Sequence, residues 1–261
     1  INYSLSATGS TTANITQRVL NVQYTGVNKV YDAGTTASVT TTDNRVLGDV
    51  FDINWSASFA DKNVAGGKTI SVSGVSLTDP LGVSSIDAGN YSVAATGSTT
   101  ANITPRALTV NFSGVNRVYD GSTTASVTTT DDRLGADVLT IARSASFADK
   151  NVGTAKAVSV SAVSLSGTDA NNYTVAPTGN TTADITQRNL TVVYTGVDKV
   201  YDGLLNASVT TSLTNANGYV NGDVLSVNRT ANFTDKNVAY LNGNVTPVSI
   251  NVTGVSLGGA D

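Results

Sequence analysis

Apolar side chains recur at every second position through most of this chain. In RALTVNFSGV, Leu108, Val110 and Phe112 fall on one side and Thr109, Asn111 and Ser113 on the other, the period of a strand with one buried face. Leu20, Val22 and Tyr24 repeat the pattern, as do Leu190, Val192 and Tyr194. A second strand is predicted around VYDGSTTASVTT, and a third, DVFDINWSASF, collects Phe51, Ile53, Trp55, Ala57 and Phe59. The fourth changes parity: Ile70 and Val72 give way to Val75 and Leu77 across Gly74, and Val248, Ile250 and Val252 to Val255 and Leu257 across Gly254. A glycine at such a flip predicts a bulge or bend, although Ala162 holds the corresponding place between Val160 and Val163. Two short strands, as in NYTVAP and TTADIT, complete a set of six. With no helical period, the expected fold is all-β: a small β-sandwich, or alternatively a β-grasp-like sheet with FADKNVG as connecting turn or short helix.

The set occurs three times. ITQR, ITPR and ITQR start at Ile15, Ile103 and Ile185, FADKN or FTDKN at Phe59, Phe147 and Phe233, and NYS or NYT at Asn2, Asn90 and Asn172. A period of about 85 residues exceeds that of solenoids and is long enough to enclose a core. The boundaries are placed at 1–16 (closing strands of a preceding repeat), 17–104, 105–186 and 187–261, the last repeat lacking its closing strands. One residue, Gln17, Pro105 or Gln187, separates Thr from Arg at each joint, too little chain for a flexible linker. The expectation is an elongated, semi-rigid rod, each repeat adding about 35 to 45 Å if strands of about ten residues lie along it. Neighbouring repeats are the expected partners. Residues 1–16 read as an orphan hairpin, which also predicts head-to-tail self-association by strand donation.

Composition narrows the chemistry. Cys, His, Met and Glu are absent, so there is no thiolate, no imidazole base, no disulfide and no usual zinc or copper ligand set. Val, Thr, Ile and Tyr favour pleated strands. A net charge of −4 without a basic cluster argues against nucleic acid, and no apolar run is long enough for membrane insertion by a helix. INYSLSATGS contains no targeting signal, and a start at Ile1 reads as a piece of a longer polypeptide. Three copies of any site without a unique residue argue against an enzyme. No cofactor is expected. Calcium is the one ion weighed, for the loops bearing Asp43, Asp49 and Asp52, Asp131, Asp132 and Asp137, and Asp223, none of which repeats a full ligand ladder.

Taken in order, KVYDG, ASFADKN, VSVSAVSL, GTDANNYTV and TTADIT resemble tandem YDG-type repeats of very large secreted bacterial proteins, many similar to filamentous haemagglutinin-type adhesins exported by two-partner secretion. The resemblance covers essentially the whole chain. It implies an extracellular or bacterial outer-surface location, a repetitive β-rich stalk or adhesin segment, and no catalytic residues to carry over. Departures are YDAG in the first repeat, with its glycine delayed to Gly34, and YDGLLN in the third.

The named word reads as a structural turn: Tyr31, Asp32 and Gly34; Tyr119, Asp120 and Gly121; Tyr201, Asp202 and Gly203. Asp bonds nearby amides, Gly permits positive φ, and Tyr packs its ring while its hydroxyl finds a partner. Lys62, Lys150 and Lys236, beside Asn63, Asn151 and Asn237, bring Lys–Asn crosslinks to mind, but adjacent residues cannot bond in that way and a capped turn is expected. Trp55, replaced by Arg143 and Arg229, reads as a core rim rather than a sugar platform. Asn-x-Ser/Thr triplets at Asn14, Asn54, Asn90, Asn102, Asn111, Asn172 and Asn228 are acceptor-like by pattern only. The expected role is a spacer giving an adhesin length and stiffness. The alternative is repeats that themselves bind a host glycan, a protein or each other weakly and multivalently.

Overall fold

A computed structural model of the chain describes residues 1–81 and 87–261. Repeat 1 sets the plan with eight strands: β1 (Arg18–Leu20), β2 (Val22–Val27), β3 (Lys29–Val30), β4 (Ser38–Asp43), β5 (Asp52–Phe59), β6 (Ala65–Thr78), β7 (Tyr91–Val93) and β8 (Thr96–Thr104). Repeat 2 copies it as β9 (Arg106–Leu108), β10 (Val110–Val115), β11 (Arg117–Val118), β12 (Ser126–Asp131), β13 (Thr140–Phe147), β14 (Gly153–Ser166), β15 (Tyr173–Val175) and β16 (Gly179–Thr186). Repeat 3 has β17 (Val193–Val197), β18 (Ser208–Ser212), β19 (Leu225–Phe233), a hairpin of β20 (Ala239–Leu241) and β21 (Asn244–Thr246), and β22 (Ile250–Gly259). The protein is all-β, with only single 3₁₀ turns such as Asp87–Asn90 among the described residues.

In repeat 1 a mixed sheet runs β3-β8-β6-β5, and an antiparallel ribbon pairs β2 with β4. β8 is central: it lies parallel to β3 and antiparallel to β6. The alternating residues of these strands meet in the core, where Ile70 and Val72 of β6 and Ile103 of β8 are at most 1% exposed. Two glycines let β2 lie close across β8. A Cβ on Gly26 would stand 2.4 Å from the Thr100 carbonyl oxygen, and one on Gly97 would stand 2.3 Å from the Tyr24 ring.

The parity change is a β-bulge. Opposite β5, the register steps from Asn54↔Ser76 to Ser56↔Ser73, and Gly74 takes φ +63°. Gly254 has the same φ, and Ala162 takes +52° despite its Cβ. Of the FADKN segment, Phe59 ends β5 and residues 60–63 form a bend leading to β6. Two parallel pairs, β1 with β7 and β3 with β8, are added by the structure, because alternation carries no information on strand direction.

Contacts divide the chain into two compact units that do not coincide with the repeats. The first comprises Ile1–Thr109 with Asp131–Ala142 and Ser164–Ala176. It therefore holds all of repeat 1 together with β9, β15 and two loops of repeat 2. One of its cores is Leu20, Phe51 and Tyr91, with Val22, Ile53 and Leu77 packed against them. The second comprises Val110–Thr130, Arg143–Val163 and Pro177–Asp261. Its repeat 2 portion has the sheet β11-β16-β14-β13 and the ribbon β10-β12, and its repeat 3 portion pairs β17 with β18 and β19 with β22. Each unit thus contains one complete joint between successive repeats.

Candidate functional site: the clasp at each joint

The Tyr-Asp-Gly word builds two things. Its Asp makes the turn: Asp32 Oδ1 accepts the Gly34 amide at 2.9 Å, Asp120 that of Ser122 at 2.9 Å and Asp202 that of Leu204 at 2.9 Å. A cation two residues before the Tyr braces the loop. Lys29 Nζ donates to Asp32 and to the carbonyls of Gly34 and Thr36, and Lys199 bonds Asp202 and two carbonyls in the same way. Gly121 and Gly203 take φ of +78° and +72°. In repeat 1 that left-handed position is Ala33, at +64°, and not Gly34. The glycine has not been delayed; an alanine carries the strained conformation, held by the Asp32 and Lys29 bonds around it.

The Tyr reaches out of its repeat. In the first unit Tyr31, 1% exposed, donates its hydroxyl to Asp137 Oδ2 at 2.8 Å, 106 residues away in repeat 2. Asp137 also accepts Lys62 Nζ at 2.5 Å and the Tyr173 hydroxyl at 2.7 Å. Lys62 bridges onward to Asp169 at 2.9 Å, and Asp169 accepts the Val138 amide at 2.9 Å. The Tyr31 and Tyr173 rings meet edge to face with centroids 5.4 Å apart. Asn172, 2% exposed, accepts the Val64 amide and donates to Asn63. A glycan on Asn172 would break this contact.

The second unit repeats the arrangement. Tyr119 donates to Asp223 at 2.7 Å, Lys150 pairs with Asp223 at 3.0 Å and with Asp261, and Asp261 accepts the Val224 amide at 2.9 Å. The turn and the clasp depend on each other: in FADKN, Asp61 accepts the Asn63 amide and Asp149 that of Asn151, which projects the intervening Lys62 and Lys150 towards the next repeat.

These lysines and carboxylates carry most of the local electrostatics. Burial acts to raise the Asp137 carboxyl, but Lys62, Tyr173 and Tyr31 together outweigh it and hold it below the usual carboxylate range. Asp169 is lowered by Lys62 and by the Val138 amide. Lys62 is raised chiefly by Asp137 and then Asp169, and Lys150 by Asp261 and Asp223. Burial, with Asp137 adding to it, pushes Tyr173 up to about 12. Held protonated by Asp137 and Asp169, Lys62 serves in this arrangement as a hydrogen-bond donor and a positive charge.

The pH dependence of stability follows. Carboxyls lowered on folding contribute stability above about pH 4 and lose it as pH falls through their folded values. The raised Lys62 and Tyr173 contribute fully below about pH 10 and lose their contribution as pH rises through their folded values. No His or Cys titrates between. The melting temperature is expected to be flat from about pH 5 to 9 and to fall on both sides, in thermal unfolding followed by circular dichroism. A step near neutrality would contradict this account.

The remaining candidates are placed as follows. Asp43 and Asp131 pair with Arg45 and Arg133 at 2.7 and 2.6 Å, and Asp132 caps the Thr109 amide. Among the described residues no group of three or more acidic side chains is arranged to hold a metal. Trp55 is half-buried, and its counterparts Arg143 and Arg229 donate to the Val127 and Val209 carbonyls of the neighbouring ribbon. The pairing of Lys62 with Asp137 and Asp169 is what sequence reasoning missed. The available signal was the recurrence of Asp-Val at Asp49, Asp137 and Asp223 and of Asp-Ala-Gly/Asn-Asn at Asp87 and Asp169, in phase with the lysines.

A family model described as YDG domain matches residues 16–101, 104–182 and 186–261. No curated protein and no solved structure matches the chain.

Proposed function

We propose, for a chain that belongs to the YDG domain family in three consecutive copies, that it serves as a structural spacer: the stalk or fibre-forming segment of a bacterial extracellular adhesin, giving length and stiffness. The observation that carries this reading is the clasp, found at both joints with the same residue types and the same direction, from Tyr and Lys of one repeat to two Asp of the next. A joint fastened by a partly buried ion pair and a tyrosine that is buried at the first joint and half-buried at the second resists bending in a way that the bare Thr-Pro-Arg or Thr-Gln-Arg connection would not. The sequence between joints drifts in its loops, as between TTDNRVLGDV and TSLTNANGYVNGDV, while the clasp residues recur. Selection on dimension rather than on a ligand surface accounts for that difference.

The test is rotational diffusion. Backbone ¹⁵N relaxation of the intact chain is expected to fit one anisotropic tumbling time for all three repeats, and X-ray scattering to give a maximum dimension that grows by a constant step per added repeat. Separate tumbling times for the repeats would replace the stiff spacer with a flexible tether. Immunolabelling of the parent polypeptide on intact cells addresses the surface location.

A further inference from the structure

The chain enters and leaves a repeat at opposite ends of one ladder. In repeat 1, β7 and β8 follow a single course along β6 in the antiparallel sense. The Ala88 amide, just ahead of β7, donates to Asp79 Oδ1 at 2.8 Å, and the Ala95 carbonyl accepts the Val75 amide at 3.1 Å. Further on, Thr96 lies opposite Ser73 and Ile103 opposite Ala65. The entering strand β1 places Arg18 beside Tyr91, at the start of that course, and the chain goes on to repeat 2 after Thr104, at its end.

Both strands that flank this course run parallel to it. β1 pairs with β7 through Arg18↔Tyr91, Val19↔Ser92 and Leu20↔Val93, and β3 pairs with β8 through Lys29↔Ile103 and Val30↔Thr104. The Tyr31 amide extends the second pair, donating to the Thr104 carbonyl at 2.9 Å. Direction decides what a pull does to them. When the two ends of the repeat are drawn apart, Arg18 is dragged back along the axis of β1 while β7 is dragged forward through β8. Parallel neighbours drawn in opposite senses separate only by sliding, so every bond between them is strained at once. An antiparallel hairpin drawn apart at its two termini opens from one end, bond by bond. The β3–β8 pair meets the same condition, with Lys29 drawn back and Thr104 drawn forward.

Side chains beneath the strands oppose the same motion. Leu20 and Tyr91, 3% and 4% exposed, pack with Phe51 under β1 and β7. The Tyr91 hydroxyl accepts the Val46 amide at 2.8 Å and donates to Asp49, which ties β7 to the loop between β4 and β5. Sliding therefore drags closely packed groups out of register as well as breaking main-chain bonds. Repeat 2 has the same pairs: Arg106↔Tyr173, Ala107↔Thr174 and Leu108↔Val175 join β9 to β15 in parallel, and Arg117↔Ile185 and Val118↔Thr186 join β11 to β16. Only Pro105 lies between β8 and β9, so the strand that carries a pull out of repeat 1 continues into the strand that carries it into repeat 2.

We infer that these repeats bear tension along the chain, meeting a pull at their two ends with parallel strand pairs strained in shear. This property is separate from stiffness: the clasp opposes bending, whereas the β1–β7 and β3–β8 pairs oppose stretching. It rests on the spacer reading only for the source of the pull, a stalk held at both ends.

Force spectroscopy on the full chain tests it, with the direction of pulling as the variable. The sequence has no cysteine, so two introduced thiols define the points of attachment. Gln17→Cys with Pro105→Cys pulls repeat 1 along β1 and β8. Gln17→Cys with Gly89→Cys pulls the neighbouring starts of β1 and β7 straight apart, since Gln17 Nε2 donates to the Gly89 carbonyl at 3.1 Å. All three positions are exposed, and a Cβ on Gly89 meets nothing within 4 Å. At equal pulling speed the first pair is expected to unfold repeat 1 at several times the force of the second. Equal forces, or weaker resistance along the chain than across it, would overturn the inference. The comparison is made at matched melting temperature, reached by adding urea to the more stable variant, so that a difference in stability does not pass for a difference in direction. Failure here leaves the spacer reading standing, because ¹⁵N relaxation reports bending and force reports extension. Separate tumbling times together with high resistance along the chain would remove stiffness and keep this inference.

Discussion

Replacing Asp137 by Ala is expected to destabilise the first unit by about 3 kcal/mol in denaturant unfolding, the cost of breaking a buried pair and leaving its partners behind. Asp137 is 7% exposed and serves Lys62, Tyr31 and Tyr173 at once. Its loss leaves two buried hydroxyls without an acceptor and Lys62 with Asp169 alone. Tyr31→Phe, which removes one donor and keeps the ring packing, should cost about 1 kcal/mol. Asp32→Ala is the contrast. Its pair with Lys29 is also close, 2.8 Å, but the carboxylate is 55% exposed, so the ion pair itself should contribute less than about 1 kcal/mol and weaken in salt. If Asp32→Ala proved the costlier change, the turn and not the clasp would be what the Tyr-Asp word supports. A cycle of Tyr31→Phe with Asp137→Ala should show strong coupling across 106 residues of sequence.

The second large effect compares one substitution at three equivalent glycines. Gly26→Ala and Gly114→Ala place a Cβ 2.4 and 2.3 Å from backbone carbonyl oxygens, and neither partner is a flexible side-chain end. The ribbon must lift from the closing strand, at a cost of about 2 to 3 kcal/mol. Gly196→Ala meets only Ile250 Cδ1 at 3.0 Å and should change monomer stability by less than about 0.5 kcal/mol. Urea unfolding of the three single variants measures the contrast. Equal costs at all three positions would mean that the glycines serve local backbone conformation and not the passage of a strand.

Several predictions of the sequence depend only on near neighbours along the chain. Alternation at Leu108, Val110 and Phe112 reports which side of a strand is buried, because successive side chains point to opposite faces whatever lies beyond them. The flip at Gly74 reports a bulge for the same reason, and Ala162 shows that the pattern, rather than the glycine, was the informative signal. Asp32, Asp120 and Asp202 bond amides two residues on, within the reach of their own side chains. Strand direction lay beyond such reasoning, since a strand read alone alternates identically in parallel and antiparallel pairs.

The sequence by itself determined an all-β protein of three repeats, the faces of its strands, its Asp-centred turns and the exclusion of thiol and imidazole chemistry. Only the tertiary structure decided what Tyr31, Lys62 and Asp137 do. Short-range rules fix a residue's surroundings over a few positions, whereas the clasp joins Lys62 and Tyr31 to Asp137 across 75 and 106 residues, side chains that meet because two folded repeats abut. Burial and ion pairing are properties of that meeting, and no single segment contains them.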